Sequence, residues 1–309
     1  MSNTQFNESN KPYDKVPYYM LAIDPIHIGS GSQRLGRVDM PIVRDSSTNI
    51  PKIPATSIIG PARAYSALIN NKYPQCAGKS DEESMKKSDK KNTHCGDCCV
   101  CFAYGYTNSN GSFQGLAHFF DCHILFFPIS SMIGPIWITS PLALSFLDNT
   151  YEIEDENKFY TFTSKINHKK LNLGWLLLEN GNEPFDSSKL EFLNKIPNYI
   201  KERTILVSNK LFSHIINTNL EVRTSVSIDP STGAAEEGAL FTYEAIPRGT
   251  IFRFEVVYNN PKNFNINKTI ENIESTVKNG LELFEYLGIG GMNTKGMGRL
   301  KLLNGGNQG

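Results

Sequence analysis

The chain has 309 residues, 39% of them hydrophobic and 11% aromatic, with 31 Lys+Arg against 31 Asp+Glu and a formal net charge of zero. That length and apolar content support one elaborated domain and exclude a disordered chain, while neutrality argues against a uniformly basic nucleic-acid module. No apolar run approaches the roughly 18 residues of a membrane span, and the polar opening MSNTQFNESNKPYDK lacks the core of a secretory signal, so a reducing, cytoplasmic setting without membrane partners is expected.

Residues 1–15 read as a mobile lead-in, and VPYYMLAID (16–24) as a first strand ended by Pro25. A polar stretch from Gly29 to Gly36 leads into VDMPIVRD (38–45), a second extended run. A helix follows to about Asn70, capped by Thr56 or Ser57, with Pro61 in its first turn. Residues 72–112 form a Lys-, Ser- and Cys-rich insertion without apolar periodicity. Strands are expected at 116–127 and 134–140 and a short helix at 141–148. The mixed segment 150–215 suggests strands at 156–162 and 175–179 and a helix at 188–203. Two strand-like arms around DPSTG make a long hairpin within 220–247. TIFRFEVVY (250–258) is a strand, 270–288 a helix with Gly288 past its end, and RLKLL a final strand. Without the insertions the order is βαββαβ, the α+β, ferredoxin-like pattern shared with the RNA-recognition fold, and no linker divides the chain.

Two clusters carry candidate chemistry. Glycines 288, 290, 291, 296 and 298, interleaved with Asn293, Thr294, Lys295 and Arg299, suit an extended polyanion or simply a tight turn into the last strand. The run is no dinucleotide loop, which needs glycine where Asn293 stands, and no P-loop, because GK[ST] never occurs. Cys95-x₂-Cys98-x₂-Cys101 has the spacing of a tetrahedral zinc site, with Cys76, His94 or Cys99 as fourth ligand. A zinc deaminase is excluded, since none of the six histidines is followed two residues later by Glu. Ser57 and Arg63 on the helix from 57 offer a phosphate seat, and Arg44 suits bidentate phosphate binding.

Three separated segments resemble the RAMP superfamily of CRISPR-associated proteins: IHIGSGSQRLGRVDMPIVRDSSTNIPKIPATSIIGPAR (26–63), RTSVSIDPSTGAAEEGALFTYEAIP (223–247) and GIGGMNTKGMGRL (288–300). The middle segment is similar to the repeating backbone (fourth Cmr) subunits of type III-B Cmr effector complexes, with the type III-A backbone subunit as the nearest alternative. The chain departs from the family pattern at Ala55-Thr56, where a glycine is usual, and at Ile59, where a lysine is usual. The resemblance implies a palm and a thumb hairpin, with copies polymerised head to tail along a CRISPR RNA beside other type III effector subunits. It implies that the thumb, through Arg223, Val226, Ile228 and Phe241, displaces nucleotides of a complementary target RNA. Cutting at the displaced positions falls to Asp39, assisted by His27 and a catalytic Mg²⁺ or Mn²⁺; a coat that binds guide RNA without cutting is the alternative. RNA-binding roles fall to Arg44, Ser57, Arg63, Gly290, Gly291, Lys295, Gly296 and Arg299. The zinc knuckles of related proteins favour Cys76 as the fourth ligand of a structural Zn²⁺ beside Cys95, Cys98 and Cys101. Chemically, in-line attack by a 2′-hydroxyl is not offered by A-form geometry, so strand distortion would itself promote cleavage.

Overall fold

The computed structural model describes residues 11–31, 38–78, 94–145, 152–162, 165–181, 194–236 and 238–303. Of the expected lead-in 1–15, residues 1–10 lie outside this set, as do 32–37, most of the glycine-rich stretch, 79–93 of the cysteine-rich insertion, 146–148 of the expected helix 141–148 and 188–193 of the expected helix 188–203.

The strands are Tyr13–Ala22 (β1), Lys52–Ile53 (β2), Tyr106–Asn108 (β3), Gly111–Phe113 (β4), Ala117–Phe119 (β5), Cys122–Ile129 (β6), Ile136–Thr139 (β7), Lys158–Thr161 (β8), Lys170–Leu173 (β9), Leu176–Asn180 (β10), Thr204–Leu206 (β11), Glu221–Ser225 (β12), Phe241–Ala245 (β13), Ile251–Asn259 (β14) and Leu300–Leu302 (β15). The helices are Ala55–Ile69 (α1), Cys99–Tyr104 (α2), Pro141–Ser145 (α3), Asn198–Lys201 (α4), Asn209–Thr218 (α5), Ile270–Glu282 (α6) and Phe284–Leu287 (α7).

At the centre, β15, β1, β14 and β6 lie side by side, every pair antiparallel. Taken as the four strands of a βαββαβ chain, with α1 and α6 as crossovers, they stand in the order fourth, first, third, second. β1 shows why this strand is central. Tyr18, Met20 and Ala22 point into the main core while Tyr19 joins a second core on the opposite face, so neither face is left to water. The sheet continues beyond β6 through β7, β11, β8 and β10 to β9. This extension, with α3 and α4, builds the second core around Phe126, Trp137, Leu144, Phe162 and Ile200.

Several expectations are corrected. The run 38–45 forms no strand; it is extended chain held by single bridges, Met40 to Tyr243 and Arg44 to Pro51 among them. The strand expected at 116–127 is two, β5 and β6, paired to the same β14 at different places. Pro197 caps α4, which confines the described part of the 188–203 helix to a single turn. Neither Thr56 nor Ser57 caps α1. Pro54 occupies that position without a side-chain cap, and the Ala55 N–H donates to Asp121 Oδ1 at 2.9 Å instead.

α1 and α6 cross closely because one position is glycine. A Cβ added at Gly280 would lie 2.5 Å from the Ala62 carbonyl oxygen of α1. Around that contact the Ser66 hydroxyl donates to the Thr276 carbonyl and meets the Tyr104 hydroxyl, so the polar atoms of the crossing are satisfied. Gly280→Ala is expected to part the helices and lower stability by about 1–3 kcal/mol, read by urea denaturation of the full chain. Unchanged stability would show that the crossing absorbs a methyl group.

Candidate active site at the base of the hairpin

The hairpin β12–β13 turns at Asp229–Gly233, where the Gly233 N–H donates to the Asp229 carbonyl and the Asp229 carboxylate accepts from Ser231, as DPSTG led one to expect. At its base β13 has two working faces. Strand alternation sends Thr242 and Glu244 toward the extended segment 39–44, and Phe241, Tyr243 and Ala245 toward Met292 and Met297 of the glycine-rich loop.

On the first face Asp39 is exposed, yet held. Its Oδ2 accepts from the Thr242 backbone N–H at 2.7 Å and from the Thr242 hydroxyl at 2.9 Å, and its own N–H donates to the Thr242 Oγ1 at 3.1 Å. Those bonds, the Thr242 backbone N–H first, keep its carboxyl below the usual carboxylate range, so it is ionised near neutrality. Next along, the Met40 N–H donates to the Thr242 carbonyl and the Glu244 N–H to the Met40 carbonyl. The Glu244 carboxylate accepts from the Ile42 N–H and, at 2.9 and 3.0 Å, from Arg44. Arg44 also donates through Nε to Asn217 of α5. Arg44, expected on a phosphate, thus shares its Nη2 between both oxygens of Glu244 and gives Nη1 to the Ile42 carbonyl, with the Arg44 and Glu244 side chains 21% and 14% exposed.

His27, expected as an acid–base group, is 3% exposed. Its Nδ1 lies 2.6 Å from the Glu244 carbonyl, and its ring meets Tyr243 edge-on. The imidazole anchors the turn rather than facing solvent. The glycine-rich loop packs onto the same residue. The Gly291 N–H donates to the His27 carbonyl at 2.9 Å, and a Cβ at Gly290 would come within 2.5 Å of that oxygen. Gly290, at φ +78°, is glycine because the two backbones touch, so the Gly291 amide expected on phosphate serves the chain itself. Gly296 and Lys295 stay exposed, and the Lys295 ammonium stands 5.8 Å over the Phe241 ring. Phe241, expected with Val226 and Ile228 in the wedge of the thumb, lies at the hairpin's base, whereas Val226 and Ile228 are 42% and 51% exposed on the hairpin. Arg223 pairs with Glu221, and Arg299 forms a bidentate pair with Asp24.

The helix-terminus seat is likewise taken. Asp121, which receives the Ala55 N–H and pairs with Lys52 at 2.8 Å, puts a carboxylate where a phosphate was expected, and the half-buried Ser57 gives its N–H to the Pro54 carbonyl. Arg63 points away, donating to the Cys76 carbonyl at 2.8 Å and meeting His94.

Arg63 leads to the second cluster. The sulfurs of Cys76, Cys95, Cys98 and Cys101 lie within 4.8 Å of one another, with separations of 3.5, 3.6, 3.7 and 3.9 Å along four edges. Four thiolates about 2.3 Å from one zinc stand about 3.8 Å apart, so the set can hold a tetrahedral metal. His94 is no ligand: Nδ1 accepts from the Thr107 N–H and Nε2 lies 2.5 Å from the Gly78 carbonyl. Sequence reasoning missed Thr242 and Asn217 altogether. Period-two alternation would have put Thr242 and Glu244 on one face, but nothing local names the loop they meet.

A family model described as RAMP superfamily matches residues 20–301. The CRISPR system Cmr endoribonuclease Cmr4 of Pyrococcus furiosus is 27% identical over 303 residues, covering 92% of this chain and 93% of its own. Among solved structures, a chain of the type III-B Cmr-beta complex bound to cognate target RNA superposes with a TM-score of 0.64 at 18% identity, over 95% of this chain and 99% of its own. Oligomeric Cmr4 from Pyrococcus furiosus superposes with a TM-score of 0.60 at 20% identity, over 94% of this chain and 98% of its own. At such identities these two likenesses speak for the fold alone.

The Arg44–Glu244 pair gives a direct test of the seam. Removing either partner leaves a largely buried charge unmatched, so Arg44→Ala and Glu244→Ala should each destabilise by about 1–3 kcal/mol. In a double-mutant cycle followed by denaturation the two should couple by at least about 1 kcal/mol; additive effects would show that the pair holds nothing together.

Proposed function

The chain belongs to the RAMP superfamily, and from that premise we propose that it is the repeating backbone subunit of a type III-B CRISPR ribonucleoprotein that cuts complementary target RNA at regular intervals. In this reading the four-strand centre with α1 and α6 is a ferredoxin-like palm, and β12–β13 with its turn is the thumb. Its partners are a CRISPR RNA, the target RNA, further copies of itself arranged head to tail, and other subunits of the effector. The relative whose printed name is a Cmr endoribonuclease supports the activity, and no helix among the described residues is long and apolar enough to cross a membrane.

The observation that carries the reading is the state of Asp39: an exposed, ionised carboxylate tied to the root of a hairpin whose outer residues, Val226 and Ile228, are apolar and exposed. Apolar side chains at the hairpin's outer part can replace the stacking that a displaced nucleotide loses, offsetting a cost of a few kcal/mol. The displaced nucleotide leaves A-form geometry, and its 2′-hydroxyl can then line up behind the scissile bond. Asp39 at the root of the same hairpin meets the backbone where it bends. The Asp39 carboxylate would hold Mg²⁺ or Mn²⁺, and such a hard cation would supply polarisation of the phosphoryl oxygen. Lys295 is the exposed cation beside the hairpin base and suits the guide's phosphates.

The four cysteines suit a structural zinc, since four protein sulfurs leave no open position. Elemental analysis should find about one zinc per chain, retained by Cys99→Ser and lost with Cys76→Ser. Zinc persisting in Cys76→Ser would refute this ligand set.

Asp39→Asn in a complex assembled on guide RNA should lower target cutting roughly 100-fold or more while guide protection and target binding stay unchanged. Undiminished cutting would leave the chain as a coat for the guide and place the chemistry elsewhere.

A further inference from the structure

We propose that Thr242 is the positioning residue for Asp39, pinning one carboxylate oxygen to the hairpin so that the other faces outward. The inference rests on the reading of Asp39 as the cutting acid and adds a second residue with its own chemistry.

An exposed aspartate on an extended loop ordinarily samples several rotamers. Here Oδ2 receives both the N–H and the hydroxyl of Thr242, and the Asp39 N–H returns a bond to the same hydroxyl oxygen. Both Thr242 bonds to the carboxylate fall on Oδ2, so Oδ1 is the oxygen that Thr242 does not hold. Thr242 also has a particular place. It is the second residue of β13, following exposed Leu240 and half-buried Phe241, at the point where the hairpin leaves the body. A hairpin displaced by RNA would therefore move the group that aims the carboxylate, which couples insertion of the hairpin to readiness to cut. The hydroxyl is the testable part, because every substitution keeps the backbone N–H.

The experiment compares Thr242→Val and Thr242→Ala, which lack the hydroxyl, with Thr242→Ser, which keeps it, in the complex assembled on guide RNA. The first two should cut target roughly 10- to 100-fold more slowly and need more Mg²⁺ or Mn²⁺ for half-maximal rate, with guide protection intact; Thr242→Ser should restore both. A second readout does not depend on cutting. In the isolated full-length chain, the ¹³C carboxyl of Asp39, assigned by its loss in Asp39→Asn, should titrate at higher pH in the hydroxyl-less variants, because a hydrogen bond that favours the charged form is gone. Wild-type rate, metal dependence and carboxyl titration in Thr242→Val would overturn the proposal and leave Asp39 untouched. Normal cutting by Asp39→Asn would instead overturn the reading beneath it. Should the hydroxyl-less variants fail to assemble, the titration decides alone.

Discussion

Everything near the candidate site depends on one strand serving two faces. β13 presents Thr242 and Glu244 to the segment 39–44 and Phe241, Tyr243 and Ala245 to the glycine-rich loop. Period-two alternation makes this possible with five residues. The consequence is that three stretches far apart in sequence, around residues 27, 40 and 290, are fixed relative to one another through a single element. His27 completes the joint, since its ring bonds to the Glu244 carbonyl and its own carbonyl accepts from Gly291. An exposed carboxylate can then be held firmly without being buried.

The same economy explains how a chain of zero net charge is built. Arg44, Arg223, Arg253 and Arg299 are matched by acids within the fold, and Arg63 by a carbonyl and a histidine beside the cysteine cluster. Burial lowers the Arg63 proton affinity, and the neighbouring cysteines oppose that shift, so the guanidinium stays charged against the sulfurs. These five arginines are engaged within the fold, and in the proposed function RNA contacts draw on what is left exposed, Lys295 among it. In the proposed assembly, weak contacts on each copy add up along the guide, while base pairing between guide and target carries the sequence information.

How much was legible follows from how local each signal is. The cysteine cluster was readable because three cysteines within a span of six residues define a small volume, and only the distant Cys76 needed help from a resemblance. The βαββαβ order was readable because β1, β6, β14, α1 and α6 have strong apolar patterns. β9 and β11, three or four residues each, have no room for a period and were missed. The glycine-rich loop stayed ambiguous because contact with a phosphate and contact with the His27 backbone both require a missing Cβ. The partners of Arg44 and Arg63 within the chain were not legible, because a guanidinium's partner lies up to 200 residues away. The Asp39–Thr242 bond spans 203 residues and leaves no local trace.

The central claim is spatial: the RNA bends at the root of the hairpin, and Asp39 stands there. The most direct measurement is a structure of the chain assembled on guide RNA with a target made uncleavable at the 2′ position. The account expects a displaced nucleotide beside the hairpin and the scissile phosphate beside the Asp39 carboxylate. A target strand that runs undistorted past the hairpin, or whose bent phosphate lies at the Arg63–cysteine side of α1, would contradict it.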